Sequence, residues 1–178
     1  MNEYAVVTAP RTVRIERLVK GPIERVWAYL TESDKRGTWF ASGDMELRVG
    51  GRVNLTWRNS ELSADRQPVP ERFKKYEGNQ MAGRVTRCDP PKFLSFAWGD
   101  DVENSSEATF ELTPQGSDVL LVVTHTRLTD RSQMISVSGG WHIHLDILAD
   151  RLAGREPLNF WSSFVRLEGA YDKRTPAD

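Results

Sequence analysis

The sequence predicts an α+β fold in which a curved antiparallel sheet of about six or seven strands wraps on a long C-terminal helix. Short alternating segments fill the middle of the chain, with links that are mostly short and hairpin-like rather than crossover helices. All but one of these segments are apolar on one parity and polar on the other, so the sheet has one wet face and one buried face. The clearest helical pattern lies near the C-terminal end and offers the apolar stripe that a buried face needs. The 178 residues suit one domain with a sizeable core. That domain is taken as 1–178, with a core at about 12–154 and a tail, 155–178, packing on the long helix.

Thr12 to Val19 reads as a strand, because Val13, Ile15 and Val19 share one parity and Arg14 and Glu16 the other. Gly21-Pro22 ends it, and Pro22 suits a helix start, where its missing N–H has no bond to lose. Ile23, Val26, Trp27 and Leu30 follow at helical spacing. The polar stretch Thr31 to Gly37 leads to Trp39 and Phe40. Next come two alternating segments, Met45-Leu47-Val49 and Val53-Leu55-Trp57, joined by Gly50-Gly51 as a hairpin turn. Asn59 to Asn79, with two prolines and many charges, is a long loop whose Phe73 and Tyr76 are apolar for a solvated linker.

Strands resume with Met81, Gly83 and Val85, then Leu94, Phe96 and Trp98 after Pro90-Pro91. Gly99-Asp100-Asp101 turns the chain into the strand of Ala108, Phe110 and Leu112. Val119 to Thr126 is apolar on both parities, so alternation alone leaves its orientation open. The long helix spans about Ser136 to Ala153, with Trp141, Leu145, Leu148 and Leu152 on one face and Gly154 as its stop. Ile143 and Ile147 lie on the other side, and Phe160, Trp161, Phe164 and Leu167 are the segment available to cover them.

Twenty-four basic residues against 25 acidic, a net charge of −1 and a pI near 6.3 argue against nucleic-acid or anionic-membrane binding. One cysteine, Cys88, excludes a disulfide framework and a cysteine-rich zinc site. Met1 to Pro10 lacks signal-peptide features and no run approaches membrane-spanning length, so a soluble cytoplasmic protein is expected. His142 and His144 form an H-x-H pair, but two residues apart on a helix they point apart and would not share a metal. One would sit at a cavity edge and one near solvent. Ser136, Ser138 and Gly139 make no nucleophile elbow, and no Walker or dinucleotide glycine pattern occurs. No metal, cofactor or catalytic residue is assigned.

Several segments resemble the bacterial heat-shock-protein-90 ATPase activator-like family. They are Gly83-Arg84-Val85, Asp89-Pro90-Pro91-Lys92-Phe93-Leu94, Phe96-Ala97-Trp98, Leu112-Thr113-Pro114 and Val123-Thr124-His125. Gly139-Gly140-Trp141 with Leu145, Leu148 and Gly154 matches most clearly, and Pro22 and Val26-Trp27 also fit. The resemblance covers about Thr12 to Gly154. It implies the START-like (SRPBCC) helix-grip fold, with an apolar cavity between sheet and long helix. That superfamily includes lipid and hormone binders, polyketide cyclases and co-chaperones, so fold alone does not settle function.

Ligand cavities are mostly apolar with a few polar anchors. Trp39, Phe40, Trp57, Phe96, Trp98 and Trp141 are candidate walls, and Phe73 and Tyr76 candidate parts of a lid over Trp57. Each ring has the alternative of plain core packing. Arg17 shares the inward parity of Val13, Ile15 and Val19, so its guanidinium must meet a protein carboxylate or an acidic ligand. His125 would orient a ligand, act as acid–base, or be held structurally. The expected function is binding of a small hydrophobic or amphipathic molecule. The alternatives are a cyclase- or hydrolase-like enzyme using the same cavity, and a chaperone-accessory or stress-response module that binds a chaperone or itself.

Overall fold

The computed structural model describes residues 3–177. A hairpin opens the fold, β1 (Val6–Ala9) and β2 (Thr12–Lys20), followed by α1 (Ile23–Thr31) and the short α2 (Ser33–Arg36). Five strands come next: β3 (Arg52–Thr56), β4 (Gln80–Asp89), β5 (Phe93–Ala97), β6 (Glu107–Gln115) and β7 (Asp118–Thr126). Two helices close it, α3 (Arg131–Leu152) and α4 (Phe160–Arg174). The seven strands form one antiparallel sheet in the order β1-β2-β7-β6-β5-β4-β3.

Strand pairing settles what alternation left open in β7. Val13 lies opposite His125, Ile15 opposite Val123 and Val19 opposite Val119. Directly paired residues share a face, so Val119, Leu121, Val123 and His125 point inward, and all four are buried. In β4 an irregularity between Val85 and Arg87 shifts the parity. Gly83 and Val85 face the core before it and the half-buried Cys88 does so after it, opposite Leu94. Such bulges also bend a strand, which helps the sheet curve around a helix.

Helix α3 is buried on both sides. Trp141, Leu145, Leu148 and Leu152 are in the core, and so are Ile143 and Ile147. The sheet packs on one side through β2, and α4 packs on the other. Gly139 makes the α3–α4 approach possible, because a Cβ there would lie 3.3 Å from the Phe164 ring. Farther along α4, the Tyr171 hydroxyl accepts the Ala5 N–H at 2.8 Å and lies 2.9 Å from His142 Nδ1. One contact thus joins the N-terminal segment to both helices.

Three local readings are corrected. Met45 to Val49 is not a strand: only the bridges Ser42 to Thr56 and Met45 to Val53 form, and Leu47 and Val49 are exposed. The Gly50-Gly51 backbone exchanges hydrogen bonds with Val85, while the Glu46 carboxylate accepts the Arg52 N–H, so the expected hairpin arm peels away. Helix α3 begins five residues before Ser136, because Asp130 accepts the Gln133 N–H (2.8 Å) and Gln133 Oε1 accepts the Thr129 N–H (2.6 Å). That reciprocal pair resembles a capping box. Finally, neither His142 nor His144 is near solvent; they are 2% and 5% exposed.

The polar stretch after α1 hides a buried arginine. Arg36 is 2% exposed and donates to the carbonyls of Leu30, Thr31, Ala41 and Gly43. It therefore caps the C-terminal end of α1, where unpaired carbonyls carry partial negative charge, and pins the loop that follows. Desolvation lowers its pKa to about 10, which leaves it charged at neutral pH. Arg36→Met would keep the apolar stem and strand those carbonyls. Each buried polar group left unpaired costs about 1–3 kcal/mol, so chemical denaturation should show a loss of roughly 3 kcal/mol or more. A loss below about 1 kcal/mol would refute this role.

Candidate functional site

The loop fixed by Arg36 presents Trp39 and Phe40. Trp39 is wholly buried and donates its indole N–H to the Tyr29 carbonyl at 2.8 Å. Phe40 stacks on Trp141 of α3, with ring centroids 5.0 Å apart. Beyond β3, Trp57 stacks on Trp98 at 5.8 Å and meets the Phe40 ring edgewise at 5.4 Å. Rings from the Arg36 loop, from just beyond β3 and β5, and from α3 therefore converge.

They border an open recess of about 170 Å³ lined by Phe40, Trp57, Trp98, His125, Trp141 and His144, with Ser106, Gln133, Val137 and Gly140. The recess shares Trp57, Trp98, Gly140 and His144 with a larger groove of about 1100 Å³. The groove runs between the first half of α3, α4 and the β3–β4 connection, and Phe73, Tyr76, Ile135, Phe160, Trp161 and Phe164 line it. Phe73 is buried and stacks on Trp161 at 5.0 Å, while Tyr76 is 44% exposed at the rim. Gly140 leaves the helix open here, since a Cβ would meet nothing within 4 Å.

Seven of the ten residues singled out from sequence therefore line these cavities: Phe40, Trp57, Phe73, Tyr76, Trp98, His125 and Trp141. Three do not. Trp39 lies behind Phe40, and Phe96 is sandwiched between Trp98 and Phe110, at 5.6 and 5.8 Å. Arg17 donates from Nε to Asp146 at 2.8 Å and from Nη1 to the carbonyls of Glu3 and Glu16, and lines neither cavity. Sequence reasoning missed His144, Gly140, Phe160 and Trp161 as lining residues. The glycine pair and the tail aromatics were visible, but their meeting depends on how α4 crosses α3.

Hydrogen bonding fixes the histidine tautomers. Trp141 Nε1–H can only donate, and it donates to His125 Nδ1 at 3.1 Å. His125 therefore carries its proton on Nε2 and donates to Ser106 Oγ at 3.0 Å. Burial lowers its pKa to about 3, so it is neutral and both nitrogens are occupied. His144 Nδ1 lies 2.7 Å from the Trp39 carbonyl, which can only accept. Its proton is on Nδ1, and Nε2 is an acceptor. Burial again lowers the pKa, to about 4.

The charged groups at the groove are already paired. Arg131 donates to the Asp172 carboxylate at 2.9 Å and to the carbonyls of Asp172, Thr175 and Pro176. Glu168 pairs with Arg72 at 2.8 Å. One buried acceptor lining the groove, Asn59 Oδ1, has no partner. No group of metal-ligating side chains occurs among the described residues.

A curved antiparallel sheet gripping a long helix, with an aromatic groove at the helix's open end, defines a START-like helix-grip protein. The family model described as Activator of Hsp90 ATPase homolog 1-like protein matches residues 20–153, and the chain belongs to that family. A protein from Bordetella parapertussis, solved in solution, is 40% identical, with a TM-score of 0.79 over 94% of this chain and 87% of that one. CalU16 from Micromonospora echinospora shares the fold at 23% identity, with a TM-score of 0.65 over 91% of this chain and 86% of its own. The Aha1 dimer from Colwellia psychrerythraea does so at 18% identity, with a TM-score of 0.60 over 79% and 95%. None of the curated proteins compared matches the sequence.

The neutral histidines make stability pH-dependent. His125, His142 and His144 have pKa values near 3, 4 and 4, all lowered first by burial, against 6.5 when unfolded. Below about pH 6.5 the unfolded chain binds protons that the folded chain refuses, so the stabilisation present above that value declines as pH falls toward 4. Denaturation midpoints at pH 7.5, 6, 5 and 4.5 should drop progressively. A flat profile from 7.5 to 5 would contradict the buried neutral state.

Proposed function

We propose that the protein binds a small apolar or amphipathic molecule in the groove, with its innermost part in the recess, and does so in the cytoplasm without a cofactor. The observation that carries this reading is the opening at Gly140. Helix interiors disfavour glycine by about 1 kcal/mol relative to alanine. Here the missing side chain leaves unfilled space beside Trp57, Trp98 and His144, although the neighbouring Gly139 and Trp141 are buried. The residues beside it are mostly aromatic with few polar groups, as ligand sites are.

The same geometry disfavours the enzymatic alternative built on His125 and Arg17. The His125 lone pair is held by Trp141, and Arg17 is bound to Asp146 away from the cavities. The chaperone-accessory and self-association reading draws support from the description of the family and from the Colwellia psychrerythraea relative, solved as a dimer. In both readings no membrane insertion is involved; no helix among the described residues is long and apolar enough to cross a membrane.

An anilinonaphthalene dye tests the binding reading. The folded protein should bind it saturably, and Gly140→Leu should weaken binding at least about tenfold while leaving the melting temperature equal or higher, since leucine favours the helix and its Cβ has nothing within 4 Å. Trp57→Phe and Trp98→Phe should alter dye affinity more than stability. Absence of dye binding in the parent protein, or tryptophan variants that only lose stability, would leave the interaction reading ahead.

A further inference from the structure

The recess has an unusual polar character for so aromatic a space. No side chain lining it is charged, because both of its histidines are neutral. Most of its acceptors are spoken for: Trp141 holds the His125 Nδ1 lone pair, Ser106 Oγ takes the His125 Nε2–H, and Gln133 Oε1 takes the Thr129 N–H. The Ser106 hydroxyl hydrogen and the Gln133 amide N–H groups remain as donors, and the acceptor with no bond of its own is on His144. The residue is 95% buried, being 5% exposed, and its Nδ1–H is fixed on the Trp39 carbonyl. Its Nε2 lone pair has no hydrogen-bond partner, yet it is not among the fully enclosed unpaired atoms. The space available to it is the recess and groove that the ring lines.

Resting on the binding reading above, we infer that the ligand presents an uncharged, hydroxyl-bearing aromatic ring to the recess, its O–H donating to His144 Nε2. Size fits the ring: an apolar cavity of about 150 Å³ accepts benzene, and the recess holds about 170 Å³. The rings of Phe40, Trp57, Trp98 and Trp141 offer both faces and edges for stacking. The remainder of the molecule extends past Gly140 into the groove. A carboxylate head is disfavoured twice over. It would meet an acceptor lone pair at His144, and no cation lines the recess to compensate its desolvation. The one arginine at the groove, Arg131, is engaged by Asp172 and three carbonyls.

Three probes of similar size separate these cases at pH 7: 2-naphthol, 2-methoxynaphthalene and 2-naphthoate, titrated against intrinsic tryptophan fluorescence. The donor should bind best, exceeding the methoxy compound by roughly threefold to tenfold, the range of one net hydrogen bond. The carboxylate should be weaker than the naphthol by about tenfold or more. His144→Asn keeps a nitrogen donor for the Trp39 carbonyl but removes the Nε2 acceptor, so the naphthol preference over the methoxy compound should shrink to within about twofold. A melting curve checks that this variant folds, and the comparison in the parent protein stands whether or not it does. Equal binding of all three probes, tighter binding of naphthoate, or a naphthol preference that survives in folded His144→Asn would overturn this inference and leave groove binding intact. Failure of every probe to bind would overturn both.

Discussion

Helix α3 is buried along most of its length on two sides, and everything else in the fold answers to that constraint. Twelve of its 22 residues are buried, so a single sheet cannot cover it. The concave face of the sheet takes the side of Trp141, Leu145 and Leu148, and α4 takes the side facing Phe164 and Tyr171. Burying each large apolar side chain is worth roughly 1.5–3 kcal/mol, which makes both covers necessary. Cover is tight at Gly139, where α4 approaches to van der Waals distance, and absent at Gly140, one residue on. The groove lies where the two covers diverge.

Polar groups then fix the aromatic walls in place. Arg36 satisfies the end of α1 and the loop beyond it, which sets Trp39 and Phe40. The Trp39 carbonyl in turn orients His144, and Trp141 orients His125. The chain of contacts runs from a buried cation through a backbone carbonyl to a neutral imidazole, without placing a charge in the recess. Under the proposed binding, such a recess would select by shape and by hydrogen-bond direction rather than by long-range attraction, and the affinity would be insensitive to salt.

Much of this architecture was legible from periodicity. Val13, Ile15 and Val19, then Ala108, Phe110 and Leu112, alternate cleanly, and each set is buried in a strand. The stripe from Trp141 to Leu152 identified the gripped helix. The failures have local causes. Met45, Leu47 and Val49 alternate like a strand, but backbone bonds from Gly50-Gly51 to Val85 draw the chain away. Strand β1 is short, four residues with mostly exposed side chains, and so leaves almost no pattern. Arg36 and His144 read as surface or metal-type residues because their partners are backbone carbonyls, which a sequence does not display. The rings that line the cavities were easier to read than the polar groups between them: rings announce themselves by area, whereas a free lone pair such as His144 Nε2 exists only once its neighbours are placed.

The six tryptophans offer a direct test, since each indole N–H gives its own signal in a proton–nitrogen correlation spectrum. Trp57, Trp98, Trp141 and Trp161 line the groove or recess, whereas Trp27 and Trp39 line neither. Titration of the nitrogen-labelled protein with 2-naphthol should move the first four indole signals, Trp57 and Trp98 most, and leave Trp27 and Trp39 nearly still. Shifts centred on Trp27, shifts spread evenly over all six, or no shifts at saturating probe would contradict a ligand site between the sheet and the open end of α3.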